Sequence, residues 1–187
     1  MIVLGGLVLW LYMPETKPFP ITVFLRNRTG PIPDNGQVSL TLGGAVQETQ
    51  IGKNGDAYFR QIPANFRNKA VPVAIKAEGF ELAQPDKQYI LTGEQIEVAV
   101  KIRAVKFFGT IVEIINDVSN PLAGVRVVIG GVTAVTNTDG YFELTLLPEK
   151  PQATYSFAAT KTGYVPGNLN AVQPGIPINF ALKKESM

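Results

Sequence analysis

The sequence predicts an all-β chain of two tandem β-sandwiches, preceded by a short N-terminal transmembrane or membrane-anchoring helix. Three observations carry this expectation. Short runs of alternating apolar and polar residues recur along the chain, the period of a strand with one buried face. Gly-Gly, Asn-Gly and Asp-Gly pairs punctuate these runs as hairpin and turn signals. The same succession of strands and turns is then written twice.

In order, Met1 to Met13, MIVLGGLVLWLYM, has no charged side chain. As a helix it spans about 18 Å at about 1.5 Å per residue, against about 30 Å of bilayer hydrocarbon, so it is too short to cross alone. A secretory signal peptide would show a basic leading region and a small-residue cleavage site, and neither stands here. One reading is a buried first strand, which Ile2, Val3, Val8 and Trp10 suit. Against it, Gly5-Gly6 interrupts any strand and period-two alternation is missing. Trp10 and Tyr12 also precede Pro14-Glu15 as interfacial aromatics do at a bilayer boundary. The segment therefore reads as a membrane anchor built of Ile2, Val3, Leu4, Leu7, Val8, Leu9, Trp10, Leu11 and Tyr12: tilted, bundled or the visible end of a longer one. Membrane lipid is an expected partner. Lys17, Arg26 and Arg28 follow closely, so the positive-inside tendency favours β domains on the cytoplasmic side, with a periplasmic or extracellular placement as the alternative.

Residues 14–19 form a stiff Pro-rich linker. The first sandwich, 20–103, opens with Ile21, Val23 and Leu25 inward. Its first polar loops are Asn27 to Pro31 and Pro33 to Gly36. Val38, Leu40 and Leu42 then face inward before the Gly43-Gly44 reversal, Asp56-Ala-Tyr-Phe59 opens another strand, and Val71, Val73, Ile75 and Ala77 lead to Gly79-Phe80. Ile96, Val98, Val100 and Ile102 line its last strand. The second sandwich, 104–187, follows with almost no linker, which predicts a fixed relation between the two.

In the second copy Val125, Val127 and Ile129 alternate with Arg126 and Val128, and Gly130-Gly131 permits a tight reversal. A strand through Thr136 follows. Asn137-Thr138-Asp139-Gly140 supplies a turn in which Asp139 can bond its own backbone and Gly140 can take positive φ. Phe142, Leu144 and Leu146 make a third strand, expected antiparallel to the other two in order. Tyr155, Phe157 and Ala159 lead to Gly163-Tyr164, a closing strand runs from Ile176 to Leu182, and Lys183 to Met187 reads as a frayed tail. Asp56 to Gly79 is 23 positions and Asp139 to Gly163 is 24, so the copies stand 83 to 84 residues apart. So long a period means two domains and not a solenoid.

PLAGVRVVIGGVTAVTNTDGYFEL followed by KTGY resembles the carboxypeptidase regulatory-like domain, a transthyretin-like β-sandwich. The resemblance covers 105–183 and, more loosely, 20–103, where Ala57 stands for the turn glycine and Asp34-Asn35 for Pro121-Leu122. It implies an accessory module without catalytic residues. KPFPITVFLRNRTG and NGDAYFRQIP are similar to membrane-tethered tandem modules of bacterial proteins, some of them in defence-type operons.

Composition agrees with two small cores: 187 residues are 45% hydrophobic and 17% charged. The net charge of +2, without a basic run, gives nucleic-acid binding nothing to rest on. The chain has no cysteine, which excludes disulfide and thiolate chemistry, and no histidine, which removes the commonest general base and metal ligand. The carboxylates of Asp34, Asp56, Asp117 and Asp139 remain, of which Asp34 and Asp139 fit turn-bonding roles. A calcium site of Asp117, Asn120, Asn137 and Asp139 would need two loops to converge, and no ligand spacing supports it. No catalytic residue, metal or cofactor is expected.

The aromatics point elsewhere. Tyr58 and Tyr141 fall on the outward face of their strands beside inward Phe59 and Phe142. They suit cross-strand packing or an interface better than a sugar platform. Phe107 and Phe108 are expected at the seam between sandwiches, or as a subunit contact if exposed. The expected function is non-enzymatic: a membrane-anchored assembly or binding protein whose sandwiches mediate self-association or partner binding, as a component of a bacterial defence or membrane complex. The alternative is a periplasmic or surface accessory module that binds peptide or glycan.

Overall fold

The computed structural model describes residues 17–185, which form β-strands and one 3-10 turn at Ala64–Phe66, without an α-helix. The proposed anchor, residues 1–13, lies outside the described residues. Among the described residues no helix is long and apolar enough to cross a membrane.

The first half contains β1 (Phe19–Arg26), β2 (Gln37–Leu42), β3 (Ala45–Gln50), β4 (Asp56–Ile62), β5 (Ala70–Lys76), β6 (Phe80–Leu82), β7 (Gln88–Ile90) and β8 (Gln95–Ile102). They make two four-stranded sheets, β4-β1-β8-β6 and β3-β2-β5-β7. Alternation decides which side chains each sheet turns inward: Ile21, Val23 and Leu25 from one meet Val38, Leu40, Val71 and Val73 from the other in one core.

The second half contains β9 (Val105–Ile115), β10 (Val118–Pro121), β11 (Arg126–Ile129), β12 (Val132–Val135), β13 (Tyr141–Leu146), β14 (Tyr155–Thr160), β15 (Gly167–Val172) and β16 (Ile178–Leu182). β9 pairs with β10, β13 and β16, and the facing sheet runs β12-β11-β14-β15. Phe107, Ile111, Phe142 and Leu144 close onto Val125, Val127, Ile129 and Phe157 in a second core. Among the described residues no strand pair joins the two halves.

β1 is parallel to β8, and β9 to β16. The chain therefore leaves the first half at the end opposite its entry. There Arg103 donates its backbone N–H to the Gly79 carbonyl at 2.8 Å, and β9 begins. At this junction Gly79 lies against Pro151: a Cβ on Gly79 would stand 2.4 Å from that of Pro151.

Both Gly-Gly hairpins are present, with φ of +59° and +96° at Gly43 and Gly44 and +55° and +85° at Gly130 and Gly131. Two consecutive positive φ values match the strand twist, and glycine takes them without steric cost.

Several expectations are corrected. β13 does not extend the β11–β12 hairpin; the chain crosses at Asn137 to Gly140 into the opposite sheet, where β13 pairs with β9. A strand buried on one face reads the same whichever sheet it joins. Phe19 belongs to β1 and not to the linker, because its ring is buried in the core. β16 starts at Ile178, leaving Ile176 exposed. The end of the chain is held as far as Glu185, whose N–H donates to the Gly163 carbonyl at 3.0 Å while Lys184 bridges Tyr164.

Candidate functional site

In the turn before β13 the side-chain acceptor is Asn137, not Asp139. The Asn137 Oδ1 accepts from the N–H of Asp139 at 3.0 Å and of Tyr141 at 2.9 Å. This closes the turn locally and leaves Gly140 at φ +70°. Asn120 likewise gives its amide to the Val118 carbonyl at 3.2 Å, so two members of the candidate calcium set already serve the backbone. Among the described residues no group of three His, Cys, Asp or Glu side chains is placed to hold a metal ion.

Phe107 is corrected too. It is fully buried in the second core, its ring edge-on to Tyr155 at 5.2 Å. Alternation then turns Phe108 to the outer face, where it is half-buried. Between the halves it is Gly79 that lies against Pro151.

Tyr58 and Tyr141 do project outward, 50% and 37% exposed. On the outer face of β9 and β13, Tyr141 donates to Glu143 Oε2 at 3.0 Å, and Lys106 Nζ lies 2.8 Å from the other carboxylate oxygen. These bonds hold the Glu143 carboxyl below its usual range, Lys106 first and Tyr141 second, and raise both partners. Beside them Thr110 and Asn179 share a 2.8 Å hydrogen bond. On this polar face the carboxylate, the phenol and the ammonium are bonded to one another.

The arrangement that sequence reasoning missed is the β9–β10 hairpin. β9 runs past the end of β13 and folds back through Asn116 and Asp117, at φ +51° and +61°. The turn is flanked by Ile114, Ile115 and Val118, which are 59%, 49% and 58% exposed. Ile114 and Ile115 are consecutive, so one points to each face of the ribbon, and neither has a core to enter. The signal was present in the sequence: Asn-Asp between apolar residues is a two-residue hairpin. At the base of the hairpin the Tyr164 hydroxyl donates to Glu113 at 2.5 Å, which raises Tyr164 above its ordinary range.

No family model matches the chain, and no curated protein matches it. Among solved structures, the Bacillus anthracis TIE protein superposes with a TM-score of 0.53 at 16% identity, over 90% of this chain and 34% of that one. The chain thus spans about a third of that structure's length. A minor pilin of Streptococcus agalactiae (TM-score 0.35, 14% identity, 90% of this chain and 97% of that one) and a streptococcal ancillary pilin (0.38, 12%, 92% and 64%) are also similar. At such identities the likeness to the first is one of fold, an all-β sandwich architecture. These comparisons do not show the carboxypeptidase regulatory-like family.

Proposed function

We propose that the chain is a non-enzymatic assembly module in which residues 20–103 and 104–187 are two β-sandwich domains, carried at the membrane by residues 1–13. Contacts to copies of itself or to a partner protein are made at the far end, through the β9–β10 hairpin. The observation that supports this is the hairpin: three large aliphatic side chains stand in water at its tip, beyond Phe107 and Ile111, the residues by which β9 enters the second core. Scattered apolar residues are normal on a surface, whereas here Ile115 and Val118 are cross-strand partners on one face and Ile114 stands on the other, so the tip is apolar on both sides, as an interaction site requires. The patch is small against the roughly 800 Å² per partner of a standard interface, which suits a weak contact made effective by gathering chains in one membrane.

The test is sedimentation of the detergent-extracted chain beside Ile114→Asp/Val118→Asp. The expected result is an oligomer that loses at least one step in size in the variant, with an unchanged β-sheet circular-dichroism band. A monomeric parent, or a variant of unaltered size, overturns the assembly role of the hairpin. Protease accessibility in intact cells assigns the side of the membrane.

A further inference from the structure

The end of the first half where the chain enters β1 differs in chemistry from the hairpin end. Four segments meet there: the approach to Phe19, the β2–β3 hairpin, the stretch from Arg60 to Ala70, and the end of β7 with the residues after it. Gly43 sits against the ring of Phe66, and the Asn68 N–H reaches the Leu91 carbonyl at 2.8 Å, which ties three of these together. Arg67 stacks over the Phe19 ring at 4.3 Å and joins the fourth. This end carries Lys17, Arg60, Arg67 and Lys69 against Glu48 and Glu94 in those segments, and Glu15 precedes Lys17 in the sequence. Val46 and Ile90 stand among them 58% and 57% exposed, and Lys69 lies over the half-buried Phe66 ring at 5.6 Å. The hairpin end mixes Glu113, Asp117, Asp139 and Glu185 with Lys161, Lys183 and Lys184, and has no such excess of cations.

We infer that this basic, apolar-studded end of the first sandwich docks on an anionic lipid surface, so that the molecule stands upright with its hairpin pointing away from the bilayer. The inference rests on the reading of residues 1–13 as an anchor. Only Pro14, Glu15 and Thr16 separate that segment from Lys17, a reach of at most about 14 Å at about 3.5 Å per residue. An anchored chain therefore holds these cations close to the headgroups, where the attraction of an acidic surface extends over a Debye length of about 8 Å. Val46 and Ile90 give the docked end apolar side chains to set at the interface, and the Lys stems can lie along it with their charges in the headgroup layer.

The lack of native cysteine makes the test direct. In the full chain, an environment-sensitive fluorophore is attached in turn at Val46→Cys, Ile90→Cys and Val118→Cys. Each labelled protein is reconstituted in vesicles of phosphatidylcholine alone or with about a third phosphatidylserine. The expected result is a blue shift and bilayer-quencher sensitivity at positions 46 and 90, only with phosphatidylserine, reversed by salt and absent at 118. Adding Arg60→Gln and Lys69→Gln should lower the docked-to-undocked ratio roughly fivefold per cation removed. Water-like emission at 46 and 90 in the acidic vesicles, or a shift equal in both lipids, overturns the inference while leaving the anchor reading intact. Failure to co-sediment with neutral vesicles, together with salt-sensitive binding to acidic ones, overturns the anchor reading and leaves the docking surface standing. Failure to bind either overturns both.

Discussion

The two halves share a common set of strand pairings, to which the second adds β10 and in which the first has β6, and they solve the same packing position in opposite ways. Inside the first, Val23 pairs across the sheet with Ala57; inside the second, the matching pair is Gly109 and Phe142. The equivalence is fixed by the turn beside each pair, where Leu25 donates to the Gly55 carbonyl and Ile111 to the Gly140 carbonyl, both at 2.8 Å. All four residues lie on inward-facing positions, and Val23, Ala57 and Phe142 are buried. One half builds this layer from two medium side chains, the other from none and a ring, so volume is conserved across a strand pair while neither sequence position is.

The same comparison corrects the repeat alignment. Matching Asp56-Ala-Tyr-Phe59 to Asp139-Gly-Tyr-Phe142 makes Ala57 stand in for the turn glycine. In the structure the turn glycine is Gly55, and Phe59 corresponds to Leu144. Gly52 and Gly55 close the first turn with backbone bonds of 2.7 and 2.9 Å, and Asn137 and Gly140 close the second at 2.9 and 3.0 Å. A slip of two residues keeps every strand side chain on its own face, so period-two patterning cannot detect it.

The largest effect is expected from forcing the second half to copy the first. A Cβ on Gly109 would stand 1.9 Å from the Ile178 carbonyl oxygen, backbone that a rotamer change cannot move. Gly109→Val should cost about 3 kcal/mol or more. Adding Phe142→Ala should not rescue it, because the obstacle is β16 and not the ring. Thermal melts of the single and double variants decide this, and full rescue would show that side-chain volume alone sets the difference.

Next come the turn glycines. A Cβ on Gly140 would meet the Ile111 carbonyl oxygen at 2.3 Å, whereas one on Gly55 first meets the tip of the Ile32 side chain at 3.0 Å, with the Leu25 carbonyl oxygen at an ordinary 3.4 Å; their φ values are +70° and +71°. Backbone strain is common to both, so Gly140→Ala should cost about 2 to 3 kcal/mol and Gly55→Ala about 1 to 2. Equal losses in denaturant midpoint would remove the steric distinction between the halves.

The smallest effect sharpens a polar difference. Each turn is preceded by a buried residue, Ile51 in the first half and Thr136 in the second. Thr136 Oγ1 donates to the Leu122 carbonyl at 2.7 Å and accepts from the Val125 N–H at 2.9 Å. Thr136→Val keeps the shape and strands both backbone groups, so a loss of about 1 to 2 kcal/mol is expected. A neutral result in chemical denaturation would mean that the loop finds other partners.

Much of the architecture was legible in the sequence because burying one face of a strand imposes a period of two and tight reversals demand glycine. Val38, Leu40, Val125, Val127 and Ile129 are buried as alternation requires, Gly-Gly marks both hairpins, and Tyr58 and Tyr141 face outward. Which strands pair was not legible. The crossing of β13 to β9 and the parallel closures of β8 on β1 and β16 on β9 leave no local mark, since a strand presents the same pattern to any neighbour. The candidate surfaces divide along the same line. The apolar character of Ile114, Ile115 and Val118 is written in the chain, but their exposure depends on β9 outrunning its sheet. Lys17, Arg60, Arg67 and Lys69 are scattered over some fifty positions and become one basic end only when four segments fold together, because charge acts through space and not along the sequence.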